Sequence, residues 1–417
     1  MGREIIKKNI NLIRRWRASF LGIYGEMQKK FHLEHPNFAL NPETDWICYF
    51  GRKDIETSLE SVIMKSLKAS IPPKIVLYGD WGLGKTQTLF HFIKTLLVKY
   101  STPVYVECPE FPSKSNFLDF YNLLINRVGK ERLVATVRKV AAVKGGFDSV
   151  KEEDFRHLCQ NVLSMASGET LNVAWSWLSG EYIKDKGKIG VNANQISVTK
   201  ATRILETIGN FFLEVEGKPL IFCIDEAHRL QNIQVDSDYE RTFVQALRKT
   251  TTKNFPVGFI YAVGVADERR FPHMFILGEV KSRIGDYYVP LSQLDDESMR
   301  NMILGIIRYV RDGWDYKNNK FKDPKEEVSK AVSALKAKKY NVNLDTYPFT
   351  VEAIDQILIY FDAEDMQDRR TPREICDVLN DCGTEEDALE TGVIDENVVS
   401  KIAAQRKKRV RPSITAE

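Results

Sequence analysis

The stretch GDWGLGKT, residues 79–86, joins an apolar run, KIVLY over residues 74–78, to a run of helical character over residues 85–99. It meets the pattern G-x-x-x-x-G-K-[ST] of a phosphate-binding loop. In such a loop the glycines permit a tight turn that aims backbone N–H groups at an anion, and the next helix adds the positive end of its dipole. The sequence therefore predicts a strand, an anion-binding loop and a helix. An ordinary glycine turn ahead of a helix is the alternative.

Two side chains of this loop carry the expected chemistry. Lys85 is placed to reach the β- and γ-phosphates of a nucleotide, and the Thr86 hydroxyl is placed to bind Mg²⁺. The residues expected to hold the nucleotide are Gly79, Asp80, Trp81, Gly82, Leu83, Gly84, Lys85, Thr86 and Gln87.

A second apolar run, PLIFCIDEAHRL over residues 219–230, contains two adjacent carboxylates. Its composition is typical of a buried parallel strand. At the end of such a strand Asp225 is placed to hold Mg²⁺ through water, and Glu226 is placed to polarise an attacking water. An acidic pair at a helix N-terminus is the alternative. Together the two motifs predict binding and hydrolysis of a nucleoside triphosphate with Mg²⁺. The phosphate loop does not contact the base, so the motifs do not distinguish ATP from GTP.

Further runs of strand character cover residues 103–108, 256–267 and 286–291, with helical patterns between them. This alternation predicts an α/β fold with a doubly wound sheet. A chain of 417 residues is long enough for about two or three domains.

Composition gives weaker indications. The formal net charge is only +3, so charge as a whole does not predict a nucleic-acid partner. The sequence contains no apolar run of about 18 residues, which a membrane-spanning helix would need, so we expect neither a membrane span nor a membrane partner. The six cysteines form no C-x-x-C pair, which favours a reducing compartment, the cytoplasm, and gives no indication of structural zinc.

The order of the motifs resembles the AAA+ ATPases, and most of all their initiator clade, the Orc/Cdc6-type proteins. The segment YFGRKDIETSL, residues 49–59, is similar to the GR-x-x-E/D motif of that family. VKSRIGDYYVPL, residues 280–291, is similar to its SR-aromatic segment. RRTPREICDVLN, residues 369–380, resembles its sensor-2 motif, and the whole resemblance covers roughly residues 45–400.

The resemblance implies a P-loop NTPase fold of the AAA+ type, with a parallel sheet, helices on both faces and a helical lid domain. It implies ATP as the nucleotide and places Gly51 and Arg52 near the adenine. Arg283 matches an arginine finger that reaches the γ-phosphate held by a neighbouring subunit, and Arg373 matches the sensor of the lid helix. Asp267 stands where the family commonly has Asn, so its role as sensor 1 is left open.

An arginine finger has a physical reason. Phosphoryl transfer develops charge on the γ-phosphate oxygens, which a planar guanidinium neutralises. When the next subunit supplies that group, ATP holds the subunits together in a ring or filament, and hydrolysis loosens them. Arg269 and Arg270 are alternative fingers. A surface charge near a strand is the alternative for Arg283, and an ordinary residue in the first turn of a helix is the alternative for Arg373.

The chain is expected to divide into an N-terminal helical extension (1–48), a nucleotide-binding domain (49–291), a helical lid (292–400) and a basic tail (401–417). A helical insert occupies about residues 109–218. It contains a W-x-W-L-x-G-E segment similar to those of some prokaryotic AAA+ ATPases of phage-defence and mobile-element systems. Its residues Trp175, Trp177 and Leu178 are interpreted either as a partner-docking surface or, more simply, as core.

Basic clusters near both ends suggest a DNA partner. Their members are Lys7, Lys8, Arg14, Arg15 and Arg17 around Trp16, and Arg406, Lys407, Lys408, Arg409 and Arg411 in the tail. Basic residues beside an aromatic ring are suited to grip phosphates and stack on bases. A packed amphipathic helix and a solvated tail are the respective alternatives. The Lys-rich segment 316–341 is interpreted as a solvated helix or a surface facing nucleic acid.

Three functions remain open. The first is an oligomeric, ATP-switched loader or regulator that acts on DNA, as in transposition or phage defence. The second is a scaffold ATPase that regulates a partner effector protein such as a nuclease. The third is a nucleotide-binding module with little turnover, which the intact Glu226 disfavours. The winged helix that follows the lid in Orc/Cdc6-type proteins has no match here, so replication initiation is not expected.

Overall fold

The structure, a computed structural model, describes residues 22–143, 145–284 and 287–410, without the side chains of residues 409 and 410. The chain divides into two compact units. We call Asp54–Trp81 with Lys85–Leu291 the sheet unit. Met1–Lys53, Gly82–Gly84 and Ser292–Glu417 form the helical unit, of which the structure describes residues 22–53, 82–84 and 292–410.

A parallel sheet organises the sheet unit. Within the described residues it has five strands, in the spatial order β2-β3-β4-β1-β5. The bounds of the strands in chain order are β1 Lys74–Gly79, β2 Thr102–Glu107, β3 Leu220–Asp225, β4 Val257–Gly264 and β5 Tyr288–Pro290. Each neighbouring pair is parallel. Strand β4 ends before the predicted residue 267, because the chain turns at Asp267 into a short 3₁₀ helix.

The middle of this sheet is buried on both faces. Side chains of a strand alternate between the two faces, yet all six residues of β3 are buried. The helix Lys85–Phe92 packs against β1, β3 and β4, and Val198–Glu216 packs against β3 and β4. Helices therefore cover both faces, as parallel sheets require. With the helical composition of the second unit, this confirms the predicted fold class.

Helices make up most of the rest of the sheet unit. The α-helices are Lys53–Lys68, Lys85–Phe92, Val98–Tyr100, Phe117–Val128, Lys130–Ala141, Glu153–Leu158, Gly168–Leu178, Val198–Glu216, Asp238–Thr250, His273–Ile276 and Gly278–Ile284. Short π-helical segments are Ile93–Leu97 and Cys159–Leu163, and 3₁₀ helices are Gly187–Ile189, Ala227–Asn232 and Glu268–Arg270.

The predicted insert, residues 109–218, is helical and shares one hydrophobic core with the sheet. Trp177 and Leu178 are fully buried in that core, and Trp175 is half-buried against it. The Trp177 indole nitrogen donates a hydrogen bond to the Ala193 carbonyl at 2.8 Å. Trp177 and Leu178 are therefore core residues and not part of an exposed docking surface.

The helical unit has its own apolar core. Residues 22–30 are helical, and the later α-helices are Asp296–Asp312, Glu326–Ala337, Val351–Asp362, Pro372–Gly383, Glu386–Thr391 and Glu396–Val410. A two-stranded ribbon pairs Trp314–Asp315 with Lys320–Phe321, and Gln367–Arg369 is a 3₁₀ helix. Met27, Phe31 and Phe38 from the N-terminal part join the buried side chains of these helices. The Lys-rich helix Glu326–Ala337 buries only Val328, Val332 and Leu335.

The predicted basic tail is partly structural. The helix Glu396–Val410 includes the first ten residues of this tail, 401–410. Arg406 lies in that helix and pairs with Glu374 at 2.6 Å and Asp381 at 2.5 Å, so its assignment to a flexible basic arm is wrong. Arg411 and the N-terminal basic cluster (Lys7, Lys8, Arg14, Arg15, Trp16 and Arg17) lie outside the described residues.

The six cysteines are buried thiols without disulfide bonds. Among the described helices, none combines the length and the apolar composition that a membrane span requires.

Candidate active site

The register of the sheet places the predicted site residues along one edge. In the parallel pairing Gly79 at the end of β1 lies opposite Gly264 of β4, and Asp225 at the end of β3 lies opposite Glu107 of β2. The carboxyl ends of these strands therefore meet at the same edge of the sheet, where ligands bind in open α/β sheets. Strand β4 lies between β1 and β3.

A hydrogen bond joins the two predicted Mg²⁺ ligands across this edge. Thr86 Oγ1 donates to Asp225 Oδ2 at 2.6 Å, because the helix that begins at Lys85 packs across β1, β4 and β3. Tyr105 of β2 donates its hydroxyl to the same Asp225 oxygen at 3.1 Å. Burial, followed by the charge of Asp225, raises the pKa of Tyr105, so the phenol stays protonated and remains a donor. The sequence had given no indication of Tyr105.

The side-chain oxygens of Thr86 and Asp225 are suitable ligands for a magnesium ion. A hydroxyl and a carboxylate are the oxygen ligands that Mg²⁺ takes from proteins, where it commonly keeps several waters and binds only one or two carboxylates. Thr86 and Asp225 are the residues that would hold it, and when bound it would neutralise phosphate charge.

Lys85 is folded back onto the phosphate loop. Its buried ammonium donates to the carbonyl oxygens of Gly79 at 3.0 Å and Asp80 at 2.8 Å. Asp80 also accepts a hydrogen bond at Oδ1 from the backbone N–H of Trp81, at 2.8 Å. The positive charge thus lies beside the backbone of Gly79 and Asp80, near the start of the helix that contains Thr86 and Gln87.

Glu226 has an unusual backbone. Its φ of 55° and ψ of 28° lie in the left-handed region, which is uncommon for a residue with a side chain. Its N–H donates to Asp225 Oδ1 at 2.9 Å. The turn moves the Glu226 side chain out of the line of β3, and its Oε2 atom is buried without a hydrogen-bond donor among the described residues.

Two cationic or potentially cationic groups face that oxygen. Nε2 of His228 and Nη2 of Arg229 each lie 3.5 Å from Glu226 Oε2. Arg229 also donates to the Cys108 carbonyl at 2.7 Å and lies within 3.5 Å of Glu107 and Glu110. The 3₁₀ turn Ala227–Asn232 brings both side chains back toward Glu226. Neither His228 nor Arg229 was predicted from the sequence to have a function.

Gly51 and Arg52, predicted near the adenine, belong to the helical unit. Gly51 has φ +68°, and a Cβ there would lie 2.1 Å from the Ser298 carbonyl oxygen. Arg52 is buried and donates to the carbonyls of Ser292 and, at 3.2 Å, Leu83. Leu83 and its two neighbours at the tip of the phosphate loop are counted with this unit.

Arg373 lies at the start of the helix Pro372–Gly383, as the sensor-2 resemblance predicts for a lid helix. Thr371 caps this helix through the N–H of Glu374. The backbone N–H of Arg373 donates to the Gly82 carbonyl at 3.4 Å, while its side chain is exposed. Both groups belong to the helical unit, and the role of the guanidinium stays a prediction.

The other predicted arginines and Asp267 lie on the surface of the sheet unit. Arg283 is exposed near the end of the helix Gly278–Ile284, and Arg269 and Arg270 are exposed in a 3₁₀ turn. Asp267 caps that turn and accepts from the Arg269 N–H at 2.8 Å and from its Nε at 3.2 Å. These hydrogen bonds, first that of the Arg269 side chain, lower the pKa of Asp267.

No protein-family model and no curated protein matches this chain. Solved structures of low identity are similar over most of its length. The ORC2 protein of Aeropyrum pernix in ADPNP–ADP complexes has a TM-score of 0.43 and 13% identity over 87% of this chain and 71% of its own. The ORC1 protein of Aeropyrum pernix in complex with DNA has a TM-score of 0.41 and 12% identity, covering 88% and 72%. A Walker-type ATPase of Pyrococcus abyssi has a TM-score of 0.39 and 13% identity, covering 89% and 76%. We therefore base the function on the site residues themselves.

Proposed function

We propose that this protein is an ATP-hydrolysing AAA+ switch that assembles with ATP and acts with DNA. The observation that carries the ATPase part is the hydrogen bond of 2.6 Å between Thr86 and Asp225, beside Lys85 in the phosphate loop and Glu226 at the strand end. Two oxygens suited to Mg²⁺, an ammonium for phosphate and a carboxylate for water meet at one edge of the sheet. Each of these groups answers a requirement of phosphoryl transfer.

Each residue has a separate role in this mechanism. The backbone N–H groups of residues 79–86 surround the phosphates, and Lys85 neutralises their charge after leaving the carbonyls of Gly79 and Asp80. Thr86 and Asp225 would hold the Mg²⁺ ion, which would neutralise phosphate charge. Glu226 orients the attacking water and accepts its proton as the water attacks the γ-phosphorus, while the bond from phosphorus to the β–γ bridging oxygen breaks. The products are ADP and phosphate.

Assembly follows from Arg283. We assign it as the finger that completes the site of a neighbouring subunit, because it is exposed at the end of a helix just before β5. Arg373 is assigned as the sensor of the same nucleotide in the lid. In this arrangement bound ATP favours the assembly of subunits into a ring or filament, and hydrolysis loosens the contact between the subunits.

DNA as the partner depends mainly on the basic sequences near both ends. The pairing of Arg406 with Glu374 and Asp381 removes one member from the C-terminal cluster. The exposed insert residues Met165 and Tyr182 favour the second candidate, a scaffold that acts on a partner protein such as a nuclease effector. Transposition and phage defence are the two settings proposed for either activity.

The first test separates binding from hydrolysis. Glu226→Gln should bind ATP with a Kd within about threefold of wild type and lose at least about 100-fold in turnover, because it removes a positioned base. Lys85→Ala should lose ATP binding. Glu214→Gln, an exposed carboxylate on the helix Val198–Glu216, is the matched control and should turn over normally. Normal turnover by Glu226→Gln would refute the proposed mechanism.

The second test identifies the partner. Glu226→Gln protein is mixed with a labelled DNA duplex in ATP and in ADP at several salt concentrations. Tight binding that needs ATP and weakens steeply with salt supports assembly on DNA, because phosphate contacts release counterions. No binding in either state refutes the DNA part and favours the protein-directed scaffold.

A further inference from the structure

The side chain of His228 lies between three parts of the candidate active site. Its Nε2 is 3.5 Å from Glu226 Oε2, and its Nδ1 is 3.3 Å from the backbone nitrogen of Gly264 at the end of β4. The exposed ring of Trp81 in the phosphate loop meets it edge to face, with ring centroids 5.4 Å apart at 77°.

The contact with Gly264 fixes the tautomer of His228. A backbone N–H can only donate, so Nδ1 must be the acceptor and must carry no proton. In a neutral imidazole the proton then sits on Nε2, the nitrogen that faces Glu226. Burial lowers the pKa of His228, with Glu226 acting in the opposite direction and Arg229 and Lys85 in the same direction, so the ring is neutral at pH 7.

Space around the ring is restricted. A Cβ on Gly264 would lie 2.9 Å from Nδ1 and 3.1 Å from Cε1 of His228, so only glycine lets the ring approach the strand end this closely. The ring is therefore held by the N–H of Gly264 on one side and by Trp81 on another, and its remaining polar atom lies 3.5 Å from a buried carboxylate oxygen that has no hydrogen-bond partner among the described residues.

We propose that His228 is a positioning residue. Its Nε2–H group donates a hydrogen bond to Glu226 Oε2 and so orients this carboxylate as the general base for the attacking water. This inference rests on the proposed ATP hydrolysis. A neutral donor suits this task, because it fixes one carboxylate oxygen without neutralising the charge that makes Glu226 a base. Arg229 faces the same oxygen but is also held by Cys108, Glu107 and Glu110.

Two substitutions separate the two ends of the ring. His228→Asn keeps an oxygen near Nδ1 that can accept from Gly264 but loses the donor to Glu226. His228→Gln can place an amide N–H near the Nε2 position. We expect His228→Asn to lower kcat about tenfold, a part of what a positioned base contributes, with the Kd for ATP unchanged. His228→Gln should recover most of this loss. Gly264→Ala, which displaces the ring, should resemble His228→Asn.

A measurement without turnover tests the same contact. Histidine labelled with ¹⁵N, with His228 identified by its loss in His228→Asn, should show a protonated Nε2 and an unprotonated Nδ1, and Glu226→Gln should shift the Nε2 resonance. If wild type does not hydrolyse ATP, the proposed function fails while this result still supports or refutes the contact. The opposite tautomer, an Nε2 unaffected by Glu226→Gln, or normal kcat in His228→Asn would overturn the inference. A fall in kcat that is matched by loss of ATP binding would also overturn it, since that indicates a merely structural role.

Discussion

Lys74, the first residue of β1, makes the stability of the sheet unit depend on pH. Its side chain is buried and donates to the carbonyl oxygens of Pro72 at 2.9 Å and Phe255 at 3.0 Å, with no carboxylate among these partners. Burial lowers the pKa of Lys74 from 10.5 to about 7. In the folded protein this lysine is therefore largely neutral above pH 7, while in the unfolded chain it stays protonated until about pH 10.5.

The sign follows from the protons bound. Between these two pKa values the unfolded chain binds one more proton than the folded chain, so the free energy of unfolding rises with pH by about 1.4 kcal/mol per pH unit. Below pH 7 both states are charged, and the full penalty for the buried ammonium, roughly 5 kcal/mol, is present. As pH rises through the pKa of the unfolded chain, the penalty disappears.

The assay is urea unfolding of wild type, Lys74→Met and Lys74→Arg at pH 7 and pH 9. Relative to Lys74→Met, wild type should gain about 2 kcal/mol between these pH values. Lys74→Arg stays charged throughout, so its difference from Lys74→Met should not change with pH. Comparing variants cancels the other groups that titrate in this range. A wild-type curve parallel to that of Lys74→Met would refute the reasoning, provided that the m-values agree.

Two further predictions concern the backbone. Gly51→Ala should lower the free energy of unfolding by at least about 3 kcal/mol, since its methyl group would meet a carbonyl oxygen at 2.1 Å. Gly217→Ala, at nearly the same φ but with nothing within 4 Å, should cost only about 1 kcal/mol, and equal losses would contradict the steric explanation. Glu226→Gly should raise the free energy of unfolding by about 1 kcal/mol, because glycine relieves the left-handed backbone, while it abolishes turnover because it removes the proposed base. Asp236→Gly, also left-handed but exposed, is its control, and a destabilised Glu226→Gly protein would contradict the prediction.

The sheet and its loop could be predicted because their signals are local. The glycine pattern and the apolar run before it specify β1, the loop and the helix from Lys85 without reference to the rest of the chain. The same holds for β3, whose apolar residues end at Asp225. Boundaries set by capping were harder to predict. The C-terminal end of β4 was predicted three residues too late, because apolarity does not reveal that Asp267 caps a turn.

Other parts of the site depend on which residues meet across the sheet. Tyr105 reaches Asp225 because β2 pairs with β3 in a register that puts their carboxyl ends side by side. Arg406 has the sequence context of a basic tail, yet Glu374 and Asp381 of another helix bind it. A single sequence contains the residue types of such contacts but not their pairing, so they appear only in the folded chain.

Glu226 shows how function, and not the fold alone, accounts for this site. Thr86, Asp225 and Lys85 make hydrogen bonds with one another or with nearby carbonyls, which stabilises the phosphate loop and the strand end. Glu226 differs from them, because its left-handed backbone costs about 1 kcal/mol and the cations and potential donors nearest to its Oε2, on His228 and Arg229, are 3.5 Å away. Among the described residues, the backbone of this turn does not require an acidic side chain, since glycine would fit it without strain. The carboxylate is accounted for by the proposed hydrolysis, in which His228 orients Oε2 and the second carboxylate oxygen is left for the attacking water.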